Sequence, residues 1–445
     1  MKRVRQRANA AMLFAAFIVV GMCLFLIRWS DGARDWALFR GNLGLYTDGI
    51  LSRGVVTDRN GLVLARSKNG ERSYAEDWAV RVACLHAVGD FSGNIGTGAL
   101  TAMTDKLANY SLLGGAYDFT GTGSEVRLTI DAELQTTALR ALGGRRGAVL
   151  LMDYTSGELL CMVSSPAYDP DSPPDLTRPE YEGAYINRGL SSVYTPGSVF
   201  KIVTLAAAIE NIPDLDGRQF YCGGSVIIEG VAVTCTQAHG TQTVAGAFAN
   251  SCNCAFAELS LELGAETIAA YAEDYGLCSG HELSGIETAA GSFQPAEEGS
   301  AELAWSGIGQ SRDLVSPFAL LRLTAAIANS GTLRTPTLLK SDWGMFSRLS
   351  RGSERIMRAS TAEKFRELMR NNVETAYGDY RFPGLELCGK TGTAEVEGGA
   401  SNAWFVGFLQ DRAHPLCVVV IAERSGGGLA VAGAIANEVL QAAVK

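Results

Sequence analysis

The hydrophobic pattern of the chain begins with an uncharged apolar stretch over residues 8–27. At about 1.5 Å per residue, a helix of this length matches the hydrocarbon core of a bilayer, which is about 30 Å thick. The residues that follow, Arg28 and Trp29, do not provide a small-residue cleavage site, so the sequence favours a retained anchor over a cleaved signal peptide. Basic residues before the stretch favour a cytoplasmic N-terminus and an external C-terminus: Lys2, Arg3, Arg5 and Arg7.

After the anchor, the pattern alternates between strand-like and helix-like segments. Residues 53–65 are typical of a β-hairpin with a turn at residues 58–61. Strands near both ends with helices between them indicate an α+β domain whose sheet joins distant segments. The predicted strands are 147–153, 158–164, 386–396, 403–410 and 415–424, and the predicted helices are 131–142, 198–209, 317–331 and 429–444.

These patterns divide the chain into three parts. Residues 1–28 are predicted to form a cytoplasmic tip and a transmembrane anchor, residues 29–125 a short stalk or pedestal, and residues 126–445 one large domain. The net charge is −9, and the first 28 residues hold five basic groups and no acids, so the remainder carries −14. Such an acidic body argues against nucleic acid or an anionic membrane surface as its partner.

Ten cysteines raise the question of disulfides in an exported chain. Cys222 and Cys235 flank a β-prone segment, and the sequence leaves open whether they pair across a hairpin or stay free. Cys252 and Cys254 lie near the candidate chemistry but have no His or Cys partners at the usual spacing of metal ligands. The sequence therefore predicts no metal site.

Three short motifs carry the candidate chemistry. Ser198 lies three residues before Lys201, so on a helix the two side chains share one face. The second motif contains Ser251 and Asn253, and the third is Lys390-Thr391-Gly392-Thr393. Each motif alone also fits ordinary structure, such as a capping serine or a polar turn. In this order, however, they are the signature of serine acyltransferases that react with penicillin.

Each residue of the motifs has a chemical reason to be there. Ser198 is the candidate nucleophile, and Lys201 is its base if burial and a second cation, Lys390, keep its amine neutral. Ser251 can relay a proton, and Asn253 can bind substrate or hold the lysine. Glycine at position 392 permits close approach of a substrate backbone, and Lys390 and Thr391 can bind a terminal carboxylate. The backbone N–H groups of Ser198 and Thr393 are the predicted oxyanion hole.

With these motifs, the sequence resembles the class B penicillin-binding proteins, the membrane-anchored peptidoglycan D,D-transpeptidases. The resemblance also includes segments at 53–61, 128–135, 157–170, 307–310, 317–331 and 404–408. It implies a five-stranded antiparallel core sheet with helices on both faces, and no metal or organic cofactor. It further implies D-Ala-D-Ala stem peptides as substrates, β-lactams as acylating inhibitors and a polytopic glycan polymerase as membrane partner.

Other functions on the same scaffold stay open at this point. The motifs do not decide whether water or an amine attacks the acyl-enzyme, so a D,D-carboxypeptidase or a β-lactamase is the nearest alternative. No Glu-x-x-Leu-Asn string resembles the deacylating glutamate of class A β-lactamases. A non-catalytic β-lactam or cell-wall sensor is the alternative from another class of function. Cys252, the middle residue of the second motif, has no evident chemical requirement.

Overall fold

The structure is a computed structural model that describes residues 2–68, 70–116, 123–341, 352–396 and 398–445. Part of the predicted stalk, residues 117–122, therefore lies outside the described residues. The helices are Lys2–Ala37 (α1), Trp78–Ala83 (α2), Leu85–Val88 (α3), Ala99–Ala102 (α4), Thr104–Leu107 (α5), Ala132–Leu142 (α6), Arg188–Ser191 (α7), Lys201–Asn211 (α8), Val244–Ala249 (α9), Asn253–Leu263 (α10), Ala265–Asp274 (α11), Ala301–Ser306 (α12), Pro317–Ala328 (α13), Ala359–Asn371 (α14) and Ala434–Ala443 (α15).

The strands follow the same chain order. They are Tyr46–Thr47 (β1), Ile50–Leu51 (β2), Arg53–Thr57 (β3), Val63–Lys68 (β4), Glu71–Tyr74 (β5), Glu125–Arg127 (β6), Gly147–Asp153 (β7), Leu159–Ser165 (β8), Gln219–Cys222 (β9), Ser225–Ile228 (β10), Val231–Thr234 (β11), Gly240–Thr243 (β12), Glu282–Leu283 (β13), Ile286–Glu287 (β14), Thr332–Arg334 (β15), Ser353–Arg355 (β16), Leu387–Glu395 (β17), Ser401–Leu409 (β18) and Leu416–Ala422 (β19).

The predicted apolar N-terminal helix is confirmed as α1. Among the described residues it is the one helix long and apolar enough to cross a membrane. Side chains at 8–27 are exposed all round the helix, as expected for a segment whose solvent is lipid rather than water. The helix runs ten residues beyond the predicted anchor, into the predicted stalk. Arg34 there forms an ion pair with Asp105, with 3.5 Å between Nη2 and Oδ1.

The predicted hairpin at 53–65 is confirmed as β3 and β4, part of a four-stranded sheet in the order β5-β4-β3-β6. The carboxylate of Asp58 shapes its turn by accepting the backbone N–H groups of Asn60 and Leu62, at 2.8 and 2.9 Å. Strand β3 pairs in parallel with β6, which leads directly into the large domain. The N-terminal region is thus joined to that domain by a shared sheet.

The large domain is built on a five-stranded antiparallel sheet in the order β17-β18-β19-β7-β8. Val149 on β7 lies opposite Val420 on β19, so residues far apart in sequence form one ladder. This confirms the α+β architecture expected from strands at both ends of the domain. Helices on both faces bury the sheet, since strand residues alternate between the faces.

The alternation is clear on the central strand β7, where every side chain from 148 to 152 is buried. Val149 and Leu151 pack in the core beneath α6 and α15. Leu150 and Met152 face the other core, which contains α8 and α13. The sheet therefore separates two hydrophobic cores, and the core that contains α8 carries the candidate nucleophile.

Truncation of Leu150 is expected to destabilise the domain. Leu150→Ala leaves a cavity in a fully buried site, which costs about 2–5 kcal/mol in the free energy of unfolding. Leu113→Ala is the matched control, because Leu113 is 100% exposed and such substitutions change stability by less than about 0.5 kcal/mol. Denaturant titration of the detergent-solubilised chain measures the free energy of unfolding of both variants. Equal midpoints for the two variants would contradict this account of the core.

Candidate active site

Ser198 lies in a tight turn just before helix α8. Residues Gly197–Val199 form a single 3₁₀ turn, and the α-helix begins at Lys201 rather than at Ser198 as predicted. Gly197 has a φ of +56°, and a Cβ there would lie 2.8 Å from the carbonyl oxygen of Thr393. The turn thus packs its backbone directly against β17, which an α-helical start would not permit. The Gly197 N–H also donates to the carbonyl of Gly309, at 2.9 Å.

The amine of Lys201 is the centre of the site. The side chain is fully buried, and its Nζ lies 3.0 Å from Ser198 Oγ. It also lies 2.6 Å from the carbonyl oxygen of Ser251 and 2.7 Å from Asn253 Oδ1. These two oxygens can only accept hydrogen bonds, so they take the two hydrogens of a neutral amine. The lone pair of that amine is then left for the hydroxyl hydrogen of Ser198.

The orientation of the Asn253 amide follows from its second partner. Asn253 Nδ2 donates to the carbonyl oxygen of Thr234, at 2.6 Å, so its oxygen must face Lys201. Asn253 is the first residue of α10, and Ser251 precedes it in the junction between α9 and α10. Ser251 has a φ of +54°, a conformation that a residue with a Cβ adopts only when its surroundings hold it.

A second buried lysine completes the polar centre. Lys390 Nζ donates to Ser251 Oγ at 3.0 Å and to the carbonyl of Thr391 at 2.8 Å. Ser251 Oγ is also 3.2 Å from Lys201 Nζ, so this hydroxyl bridges the two amines. Phe256 and Phe248 lie beside the amines of Lys201 and Lys390, with ring centroids at 5.5 and 5.7 Å. The lysines are thus surrounded by apolar atoms and share one polar partner.

This environment lowers the pKa of both lysines. Burial, which disfavours the charged form, lowers the pKa of Lys201 to about 7. Burial also takes the pKa of Lys390 well below its ordinary value, and the nearby charge of Lys201 lowers it further. A substantial fraction of Lys201 is therefore neutral near pH 7, as a general base requires.

The third motif forms the adjacent edge of the site on β17. Thr391 donates its backbone N–H to the hydroxyl oxygen of Tyr377, at 3.1 Å. A Cβ on Gly392 would lie 3.0 Å from both the Pro196 carbonyl and Val199, so glycine here lets the turn that contains Ser198 pack against β17. Thr393 is exposed at the mouth, and its hydroxyl accepts the N–H of Gly428, at 3.1 Å. Tyr377 is a supporting residue that the sequence analysis did not find.

A cavity of about 400 Å³ opens over these groups. The structure brings all the predicted site residues to this cavity or directly beneath it. Sequence reasoning missed further residues in its wall, because they come from elements with no motif of their own. The lining residues beyond the three motifs are Thr234, Cys235, Thr236, Asn250, Trp305, Ile308, Gln310 and Glu395.

Beside the cavity, the structure gathers cysteines that the sequence did not group. Cys222, Cys235, His239 and Cys252 offer ligand atoms that all lie within 4.8 Å of one another. The spacing along the sequence did not indicate this group, because two hairpins and the start of α10 bring together residues at irregular spacing. All cysteines in the described chain are free thiols, including Cys222 and Cys235, whose pairing the sequence left open.

Comparison with known proteins identifies the family to which the chain belongs. The family described as the penicillin binding protein transpeptidase domain matches residues 147–441. The chain belongs to that family. Peptidoglycan D,D-transpeptidase PbpA of Mycobacterium tuberculosis is 28% identical over 74% of this chain and 74% of its own length. Stage V sporulation protein D of Bacillus subtilis is 30% identical over 72% of this chain and 52% of its own length.

Solved structures of the family share the fold. The ceftriaxone acyl-enzyme complex of penicillin-binding protein A from M. tuberculosis superposes with a TM-score of 0.77 at 27% identity. The match covers 88% of this chain and 98% of that one. The D,D-transpeptidase domain of a peptidoglycan glycosyltransferase from Eggerthella lenta gives a TM-score of 0.74 at 28% identity, with the same coverage. The class B resemblance and the predicted fold are thus confirmed.

The lowered pKa of Lys201 predicts how acylation depends on pH. The neutral amine is the reactive form, so the rate of penicillin acylation is expected to rise with pH and level off above about pH 7. Below that value it falls about tenfold per pH unit, as the neutral fraction does. Stopped-flow or gel measurements with fluorescent penicillin test this on the full-length chain. A rate that is flat from about pH 5 to pH 9 would contradict a titrating lysine base.

Substitution of Gly197 is expected to displace the nucleophile. Gly197→Ala puts a Cβ against the Thr393 carbonyl in a backbone region that favours glycine, so the turn must move. A shift of about 1 Å slows acylation by up to about a hundredfold. Gly217→Ala is the matched control, since no atom lies within 4 Å of a Cβ there. Penicillin acylation rates of the two variants give the comparison. Equal rates would show that this contact does not position Ser198.

Proposed function

We propose that this chain is a serine D,D-transpeptidase that cross-links peptidoglycan stem peptides through an acyl-Ser198 intermediate. One observation carries the proposal. The Lys201 amine has acceptors for its two hydrogens, and its remaining lone pair faces Ser198 Oγ at 3.0 Å. The relatives named as D,D-transpeptidases and the solved acyl-enzyme complexes with β-lactams support the same chemistry.

In the first half-reaction, Ser198 gives its proton to Lys201 as Oγ attacks the penultimate D-alanine carbonyl. The backbone N–H groups of Ser198 and Thr393 stabilise the oxyanion of the tetrahedral intermediate. Ser251 passes a proton from Lys201 to the leaving nitrogen, since its hydroxyl lies 3.2 Å from that amine. The C–N bond breaks, D-alanine departs and the acyl group stays on Ser198.

In the second half-reaction, an amine of a neighbouring stem peptide attacks the acyl-enzyme. The bond to Ser198 Oγ breaks, a new amide forms, and the proton of the amine returns to Ser198 through Lys201. Thr391 and Thr393 on β17 lie at the cavity wall, where they can bind the terminal carboxylate of the donor peptide. A β-lactam enters the same first step, but its leaving nitrogen stays attached and blocks the acceptor.

Transfer rather than hydrolysis is supported by what surrounds the acyl position. Among the described residues that line the cavity, the only carboxylate is Glu395, which is exposed at the end of β17. A β-lactamase needs a group that activates water against the acyl-enzyme. Such a residue is expected to be held close to the nucleophile, as Lys201 is, rather than in solvent.

The anchor determines where this reaction takes place. Helix α1, with basic residues at its start, supports a single-pass protein whose N-terminus is cytoplasmic and whose residues 38–445 are extracytoplasmic. Membrane contact is through residues 8–27, and residues 126–445 form the transpeptidase domain. An apolar helix exposed all round can also pack in the membrane beside a polytopic glycan polymerase, which would supply the strands to be cross-linked.

The nucleophile is tested by Ser198→Ala in the full-length chain. Removal of Oγ is expected to abolish labelling by fluorescent penicillin, and mass spectrometry should place the adduct of the unaltered chain on the peptide that contains Ser198. Ser191→Ala is the matched control, since Ser191 is an exposed serine on α7. Persistent labelling of Ser198→Ala would refute the assignment.

The reaction is tested by supplying glycan strands and a labelled amino-acid acceptor to the same chain. A transpeptidase incorporates the acceptor and keeps penicillin bound for long periods. Release of D-alanine without incorporation would indicate a D,D-carboxypeptidase, and rapid release of opened penicillin would indicate a β-lactamase. Wild-type cross-linking by Ser198→Ala in cells would instead indicate a non-catalytic role.

A further inference from the structure

A cluster of thiols and one imidazole lies directly behind the second catalytic motif. Cys222 ends β9, Cys235 follows β11 and His239 precedes β12, all within the excursion formed by residues 219–243. Cys252 comes from a different part of the fold, since it is the residue between Ser251 and Asn253 at the start of α10. Neither the fold nor the acyl-transfer mechanism explains why four such residues converge here.

The separations in this cluster match those between the ligands of a tetrahedral zinc ion. Zn–S bonds of about 2.3 Å and Zn–N bonds of about 2.0–2.1 Å give S···S edges of about 3.8 Å and S···N edges of about 3.6 Å. The observed distance between the sulfurs of Cys235 and Cys252 is 3.8 Å. Cys222 Sγ lies 3.4 Å from His239 Nδ1. All four ligand atoms lie within 4.8 Å of one another, so a single ion can contact them all.

The backbone around Cys235 favours a thiolate, which is the form that binds metal. The N–H groups of Asn253 and Cys254, at the start of helix α10, both point at Cys235 Sγ, at 3.0 and 3.4 Å. Cys222 and Cys252 are buried, and the cluster offers four protein ligands, the number typical of a structural zinc site with no open position.

We propose that Cys222, Cys235, His239 and Cys252 bind one structural zinc ion. Three thiolates and one imidazole in tetrahedral arrangement suit Zn²⁺ among the common divalent ions, whereas oxygen ligands suit Mg²⁺ and Ca²⁺. The ion joins the excursion to α10, and residues of both elements line the cavity. It accounts for cysteine at position 252, where the catalytic motif itself requires none.

The consequence for catalysis is positional. Cys252 lies between Ser251, whose φ is +54°, and Asn253, whose amide holds Lys201. A metal bond to Cys252 fixes this strained junction in place, and bonds to Cys235 and His239 fix the excursion that carries the Thr234 carbonyl. The four ligands are therefore positioning residues, which act on Lys201 through Asn253 and Ser251.

The competing use of these thiols is a disulfide. A disulfide requires its sulfurs at about 2.05 Å, so the 3.8 Å between Cys235 and Cys252 is that of unbonded atoms. A disulfide between two of the cysteines would also give no role to His239 or to the third thiol. The metal explains all four residues together.

Zinc binding is tested on the full-length chain in detergent. The protein is first reduced, then incubated with zinc sulfate, and then desalted to remove unbound metal. Elemental analysis is expected to find about one zinc per chain, and cobalt substituted for zinc should give the intense visible bands of a tetrahedral thiolate site. Cys235→Ser and His239→Ala are expected to weaken zinc binding at least about tenfold in competition with a chromogenic chelator, because even outer-shell changes cost about 10- to 100-fold. Cys278→Ser, a partly buried cysteine outside the cluster, is the matched control and should bind zinc normally.

Penicillin labelling of the same samples separates this proposal from the proposed function. Removal of zinc by a chelator is expected to slow acylation about tenfold or more, and added zinc should restore it. If the unaltered chain is labelled by penicillin but binds no zinc, only the proposal of a zinc site is overturned. If it binds zinc but is not labelled, only the proposed acyltransferase function is overturned. Unchanged zinc affinity in Cys235→Ser, or a disulfide at Cys235 in protein taken directly from membranes, would also overturn the site. Should the variants fail to fold, the zinc content of the unaltered chain still decides.

Discussion

The site depends on the burial of two lysine amines around one hydroxyl. Burial of an ammonium group is costly, and burial of two within reach of the same oxygen is more so, because each disfavours the charge of the other. Their hydrogen-bond partners are uncharged groups: carbonyls, an amide and the Ser251 hydroxyl. The resulting environment lowers the pKa of Lys201 to about 7, so that its neutral form is available near neutral pH. This arrangement is unfavourable for stability, and only a rigid scaffold can hold it.

The scaffold achieves this by close packing of backbone on backbone. The turn that contains Ser198 lies against β17 on one side and the loop at 307–310 on the other, with glycines where side chains would intervene. Strand β17 is held by nine paired positions against β18. The rest of the sheet is buried between two close-packed cores, and this packing makes the strand at its edge, β17, rigid as well. Precise positions of the nucleophile and base thus follow from the packing of distant apolar residues.

Sequence reasoning found the elements with strong periodicity and the residues with recognisable chemistry. Strands β17, β18 and β19, the helix capped by Ser316 and the eight motif residues all follow from local patterns. It failed where the relevant contact is between segments without a local signal. The turn at Gly197–Val199 replaces an α-helical start because of β17, which comes almost 200 residues later. Tyr377 and the Thr234 carbonyl act through partners in other elements, Thr391 and Asn253, and the cysteine cluster arises only when two hairpins fold.

The Asn253 amide has two chemically different ends, and the carbonyl of Thr234 alone decides which end Lys201 meets. If that amide were rotated by half a turn, its NH₂ group would donate a hydrogen bond to the Lys201 amine. The lone pair of the amine would then no longer be free to accept the proton of Ser198. The enzyme would then keep every reactive side chain and still be inactive. Competence for bond formation therefore depends on the placement of one peptide oxygen in the cavity wall, in a segment that belongs to none of the three motifs.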